Sequence, residues 1–198
     1  MLTGAQLVEL LSDLESDRVE RTTSISDTDK FCKAVCAFAN DLPNHRAPGY
    51  LLVGVQDNGS LSGLSVTDQL LQNLGAIRSD GNVLPQPVMS VARFKLQGGD
   101  VAVVEVQPSD MPPVRYKGTI WVRIGPRKGT AHEQDERVLT EKRVARAHTF
   151  DVLPFPEASL ADLSLRLFGE YRTQVVAPEV IEANHRTVEE QLASLRLF

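Results

Sequence analysis

The stretch Gly49–Gly59, GYLLVGVQDNG, constrains this chain more than any other. Tyr50 to Val53 and Val55 form an apolar run of strand length, and Asp57-Asn58-Gly59 follows at once. An Asn-Gly pair after such a run is a strong hairpin signal, because the tight turn needs residues that tolerate positive φ. The pattern predicts a buried strand that ends by presenting one carboxylate, Asp57, at the edge of a core. A short return strand is expected at Leu61.

The flanking segments alternate between helical and extended patterns. Thr3-Gly4-Ala5-Gln6 reads as a capping box opening a helix to about Leu14, with Leu7, Leu10, Leu11 and Leu14 on one face. Arg18–Thr23 reads as a strand. Ser26 or Asp27 caps a helix that buries Phe31, Ala34, Val35, Phe38 and Ala39 and stops before Leu42-Pro43. Thr67–Ile77 is a further helix, and Val88–Leu96 and Val101–Val106 are strands joined at Gln97-Gly98-Gly99-Asp100. Val114–Tyr116 and Thr119–Ile124 are expected to pair as a hairpin. Gly125–Gly129 is expected to be a basic loop, and Ala131 to about Ala147 a charged helix. The fold class is therefore α+β: a mixed or antiparallel sheet of about six strands with helices on one face, plus a C-terminal helical tail.

The pattern changes after Phe150, and Leu153-Pro154-Phe155-Pro156 reads as a break. The expected division is 1–148 and 149–198. In the tail, Ser159 caps a helix carrying Leu160, Leu163, Leu167 and Phe168, and Pro178 and Thr187 open two shorter ones. The apolar ending LASLRLF leads to the expectation of a longer protein or of a segment that packs on a partner.

Net charge is −5, which excludes a globally basic nucleic-acid binder, but the charge is unevenly placed. Residues 114–146 carry 9 basic and 4 acidic side chains between two acidic flanks. Such a middle is either an anion-facing surface or a solvated helix face beside unrelated strand charges. No apolar run spans a membrane and no signal peptide opens the chain, so a cytoplasmic protein is expected. Cys32 and Cys36 read as small core residues in a reducing compartment, and the four histidines form no ligand cluster. There is no GxxxxGK[ST] phosphate loop, GxSxG elbow or zinc-protease helix.

Carboxylates remain. If the strand at Glu20 pairs beside Gly49–Val53, then Glu20 and Asp57 converge and Glu15 leans in from the first helix end. Clustered carboxylates are tolerated around a hard divalent cation, Mg2+ or Mn2+, which activates water and stabilises a phosphoryl transition state. Lys33 is placed to neutralise the developing charge. The alternative is three ordinary surface acids and a solvated lysine.

Glu15, Glu20, Asp29-Lys30-Phe31-Cys32-Lys33, Ala37-Phe38-Ala39-Asn40 and Gly54-Val55-Gln56-Asp57-Asn58-Gly59 together resemble the Schlafen-type AlbA-like domain. Trp121 to Glu136 resembles that family's closing strand and arginine-glycine loop, so the likeness covers about residues 8–146. The resemblance implies a nucleic-acid-binding domain, in its sharpest form a metal-dependent endoribonuclease acting on structured RNA such as tRNA. It places catalysis and metal on Glu15, Glu20 and Asp57, with Lys33 assisting. It equally implies a non-catalytic DNA-binding module of a regulator or an ATPase-linked defence protein, continuing into an ATPase-like or winged-helix segment. A homodimer follows by analogy with paired-lobe nucleases. Arg21-Thr22 stands where the family carries an aromatic residue and a lysine.

The basic loop supplies the expected phosphate contacts: Arg123, Arg127 and Lys128, with Arg21 as a further cation. Tyr116 and Trp121 either stack on bases or fill the core. Lys142, Arg143 and Arg146 would extend the patch along the charged helix. A protein-interaction and oligomerisation domain acting through the tail is the remaining reading.

Overall fold

The computed structural model describes residues 2–146 and 159–194. The chain divides into two compact units, Met1–Arg146 and Ala147–Phe198.

In the first unit, α1 (Gly4–Ser12) begins at Thr3, whose side chain accepts from the Gln6 backbone while Gln6 caps in return. Strand β1 (Val19–Thr22) follows, then α2 (Thr28–Asn40), capped by Asp27. Strand β2 (Gly49–Val53) is the core of the apolar run, and α3 (Asp68–Ala76) is capped by Thr67. The remaining elements are β3 (Val83–Leu84), β4 (Met89–Leu96), β5 (Gly99–Val106), β6 (Arg115–Tyr116), β7 (Trp121–Ile124), β8 (Arg127–Thr130) and α4 (Glu133–Arg146).

The main sheet has the order β1-β2-β5-β4, with β1 parallel to β2 and the other pairs antiparallel. Alternation along β2 and β5 sends side chains to opposite faces. Leu51, Val53, Ala102, Val104 and Val106 meet α2 and α3 in the larger core, while Leu52, Val101 and Val103 meet Leu7 of α1 in a smaller one. The class is α+β as the sequence predicts, with α1 covering the second face. The pairing near the end of the first unit differs from expectation. Tyr116 and Thr119 share only an isolated bridge, β6 pairs with β3, and β7 pairs with β8. The segment expected as a basic loop is thus half strand, turning at Gly125-Pro126 between Ile124 and Arg127. Apolar periodicity gives no signal for β8, because Arg-Lys-Gly-Thr has no apolar side chain.

Two glycines are required by packing. A Cβ on Gly49 would lie 2.3 Å from the Phe38 ring, and one on Gly59 would lie 2.2 Å from the Leu11 carbonyl oxygen. Gly59 also has φ +84°, so the turn that follows β2 is pressed against the end of α1 by a residue that only glycine suits.

The buried Asn40 stitches α2 to the segments beyond it. Its Nδ2 donates to the carbonyls of Val114 at 2.9 Å and Trp121 at 2.8 Å, and its Oδ1 accepts from the Val114 backbone at 2.6 Å. At the end of α2, Lys142 of α4 donates to the Asp41 and Leu42 carbonyls, so α4 helps to satisfy the helix end.

Cys32 and Cys36 are fully buried, and burial pushes their thiols up to about 11 and about 12. Thiolate, not thiol, is the reactive form. Native protein at neutral pH is therefore expected to resist a thiol reagent, and both cysteines should react on unfolding. Rapid labelling of the native chain would contradict their placement.

The second unit contains a 3-10 turn at Leu160–Asp162 and then α5 (Leu165–Val175), α6 (Pro178–Ala183) and α7 (Val188–Ser194). The single helix expected from Ser159 is broken, because Leu163 is extended and Ser164 caps α5 afresh. Leu153–Pro156 and Leu195–Phe198 lie outside the described residues. Among the described residues, no helix is long and apolar enough to cross a membrane.

Candidate nucleic-acid interface

Edge strand β1 sets the site. Its neighbouring side chains face opposite sides, so Glu20 and Arg21 have different surroundings.

Glu20 is enclosed by cations. Its Oε2 accepts from Nη1 of Arg123 at 2.5 Å, and its Oε1 accepts from Nζ of Lys128 at 2.8 Å. Lys30, from the first turn of α2, stands 3.9 Å from the same Oε1. Burial alone would raise the Glu20 pKa, but Lys128 and Arg123 outweigh it and hold the carboxyl below its ordinary value. Lys128 is shifted down: burial leads, Glu20 opposes it, and the charges of Lys30 and Arg123 add to the lowering. One carboxylate thus serves three cations, and the cluster is positive overall.

Arg123 is a structural member of this cluster. It is 3 % exposed, its Nη2 donates to the carbonyls of Val19 at 3.2 Å and Pro126 at 2.7 Å, and its guanidinium lies 5.2 Å from the Phe38 ring centre. Gly49 leaves the room Phe38 needs, so the first residue of β2 indirectly seats the arginine that pairs with Glu20.

Beside the cluster lies an open, mainly polar groove of about 710 Å³ lined by Thr22, Thr23, Ser24, Asp27, Lys30 and the turn residues Val55–Asn58. Asp57 stands exposed at this groove. Asn58 supports the turn by accepting from the Ser60 backbone and hydroxyl. Lys30 is the residue common to groove and cluster.

Several sequence-predicted site residues are not brought together. Glu15 is exposed in the turn after α1. Lys33 pairs with Asp29 at 2.5 Å and sits 4.7 Å above the Trp121 ring, so it faces β7 rather than Glu20. Lys30, one turn earlier, occupies the position expected of Lys33. Arg21 is 8 % exposed and donates to the carbonyls of Leu10 at 2.7 Å and Asp13 at 2.5 Å, closing the end of α1. Tyr116 is buried, with its hydroxyl on Asp29 at 3.0 Å, and Trp121 is half-buried against the core. Neither is an open stacking platform. Lys142 is engaged at the end of α2, Arg143 is exposed on α4, and the side chain of Arg146 lies outside the described residues. Arg127 is the exposed cation of the β7–β8 hairpin.

Among the described residues, no three His, Cys, Asp or Glu side chains gather closely enough to hold a metal ion. Glu20 is already paired with Arg123 and Lys128, with Lys30 beside the same oxygen.

The family described as Schlafen, AlbA_2 matches residues 15–132, more than half of the chain. The chain belongs to this Schlafen AlbA_2 family. Among solved structures, the DIP2311 protein of Corynebacterium diphtheriae is similar at 18% identity and a TM-score of 0.48. The match covers 97% of this chain and 38% of that one, so the chain spans well under half of its length. The N-terminal domain of a RecG-related protein from Nitrosomonas europaea is similar at 24% identity and a TM-score of 0.40, over 55% of this chain and 74% of that one. No curated protein matches the chain.

Proposed function

We propose that the Met1–Arg146 unit is a non-catalytic nucleic-acid-binding module. Its phosphate-facing groups are Lys30 and Lys128 beside the polar groove, with Arg127 as a further exposed cation on the other face of the β7–β8 hairpin. The observation that carries this reading is the excess of cations at Glu20: three for one carboxylate, with Lys30 shared between that cluster and a groove lined by the hydroxyls of Thr22, Thr23 and Ser24. Phosphate contacts of this kind bind backbone with little dependence on sequence and release counter-ions, so affinity must fall as salt rises. Arg127→Ala is expected to weaken binding to a mixed-sequence RNA or DNA duplex about threefold to tenfold near 0.1 M salt. Fluorescence anisotropy reads this directly; unchanged affinity would make the hairpin a structural element only.

The sharper reading, a metal-dependent endoribonuclease, draws support from Asp57, which stands exposed in the same groove as Lys30. Labelled tRNA incubated with manganese separates the two. The binding module leaves the substrate intact with wild type and Asp57→Asn alike, whereas cleavage that Asp57→Asn abolishes would establish the nuclease. The homodimer and a following ATPase-like or winged-helix segment belong to this proposal as partners of the domain. Light scattering decides the first, since a homodimer has twice the mass of the chain.

A further inference from the structure

We infer that the Glu20 carboxylate is the resting occupant of a phosphodiester site: it holds Lys128 and Lys30 until a backbone phosphate replaces it on them, and it keeps Arg123 throughout. This inference rests on the nucleic-acid-binding reading above and gives that site a built-in competitor.

The two oxygens of Glu20 have separable partners. Oε2 belongs to Arg123, and Oε1 is shared by Lys128 and Lys30. Arg123 is fixed by two further carbonyls and is 3 % exposed, beyond the reach of an incoming chain. The lysines are held loosely. Apart from Glu20, Lys30 donates to the Arg21 carbonyl at 3.4 Å and Lys128 to the Lys30 carbonyl at 3.5 Å, both long for a charged donor. Their side chains are 35% and 14% exposed, so accessibility rises from Arg123 through Lys128 to Lys30, which opens on the groove.

The chemistry of an exchange is balanced. A phosphodiester carries one negative charge, as the carboxylate does, so its arrival leaves the lysines with the same counter-charge. Its further oxygens need donors, and the groove offers hydroxyls. Thr22 Oγ1 accepts from the Ser24 backbone and Ser24 Oγ from the Asp27 backbone, which orients both oxygens and leaves their hydrogens free to donate. Arg127 is exposed on the same hairpin but on the face opposite Lys128, so it stands outside the exchange itself.

The test uses the full chain and a mixed-sequence RNA duplex. Glu20→Gln removes the competitor without removing a cation. It is expected to bind about threefold to tenfold more tightly than wild type, and its log–log salt slope should steepen by about one. Loss of an ion-pair partner inside the cluster can impair folding, so a second measurement is made on unaltered protein. Carbon-detected NMR of the Glu20 carboxyl, titrated with and without the duplex, should show its midpoint rising when the RNA is bound, as the lysines leave. Glu20→Gln that binds no more tightly than wild type, or a Glu20 midpoint indifferent to RNA, overturns the exchange. If Arg127→Ala still weakens binding in that case, the nucleic-acid reading survives without it. Failure of the wild type to bind any duplex would remove that reading itself.

Discussion

Asn40→Ala is expected to cost the first unit about 3 kcal/mol of stability, read as a lower denaturant midpoint. Asn40 is 2 % exposed, and its amide answers three backbone groups, two on Val114 and one on Trp121. Alanine leaves all three without that partner in a dry place, and the desolvation penalty of each orphan exceeds the worth of an ordinary hydrogen bond. Asn40→Asp is the sharper variant. It keeps the shape and one acceptor, but it turns the donating nitrogen into an oxygen that faces two carbonyl oxygens. It should destabilise at least as much as alanine. A loss below about 1 kcal/mol in both variants would mean that the helix is held to β6 and β7 by apolar packing alone.

The second large effect is expected at Arg123. Arg123→Met keeps much of the volume over Phe38 but removes the charge from Oε2 of Glu20 and the donors to Val19 and Pro126. Breaking one side of a buried pair costs about 3 kcal/mol, because the surviving charge is left uncompensated. Lys128 still reaches Oε1, so the carboxylate is not wholly abandoned. The pH dependence checks the assignment independently. The folded pKa of Glu20 is lowered from 4.5, so the folded state binds its proton less readily than the unfolded chain. Its contribution is full above about 4.5 and is lost as the pH falls through the lowered folded value. Wild type should therefore lose stability in this acid window, and Arg123→Met should lose less of it. Identical acid limbs would place the titration elsewhere.

Much of the frame was legible because its signals are local. The Thr3 box, the Asp27 cap and the β2 run each depend on a few neighbouring residues, and each forms where those residues predict. The site was less legible because its decisive facts are relations between distant residues. Lys30 and Lys33 lie one turn apart on α2, and nothing local says which of them β1 will meet. Arg123 and Arg127 look alike as cations flanking Gly125, yet the alternation of β7 and β8 buries one against Glu20 and leaves the other in solvent. Arg21 looked like a cation for phosphate. Its side of β1 faces α1, so it serves the carbonyls at that helix end. The three carboxylates were placed on elements that do become neighbours, but the cations that Glu20 recruits come from residues 123 and 128, about a hundred positions away. Gly49 had a signal in retrospect, since a glycine opening an apolar strand beside an aromatic helix face marks close approach of the two.

Whether the cations beside the groove and on the neighbouring hairpin meet nucleic-acid phosphates is tested most directly by the salt dependence of duplex binding in wild type and in Lys30→Ala/Arg127→Ala. Two lost phosphate contacts should reduce the log–log slope by about 1.8, with weaker binding at every salt concentration. A double variant whose slope and affinity match those of wild type would contradict the assignment of this surface.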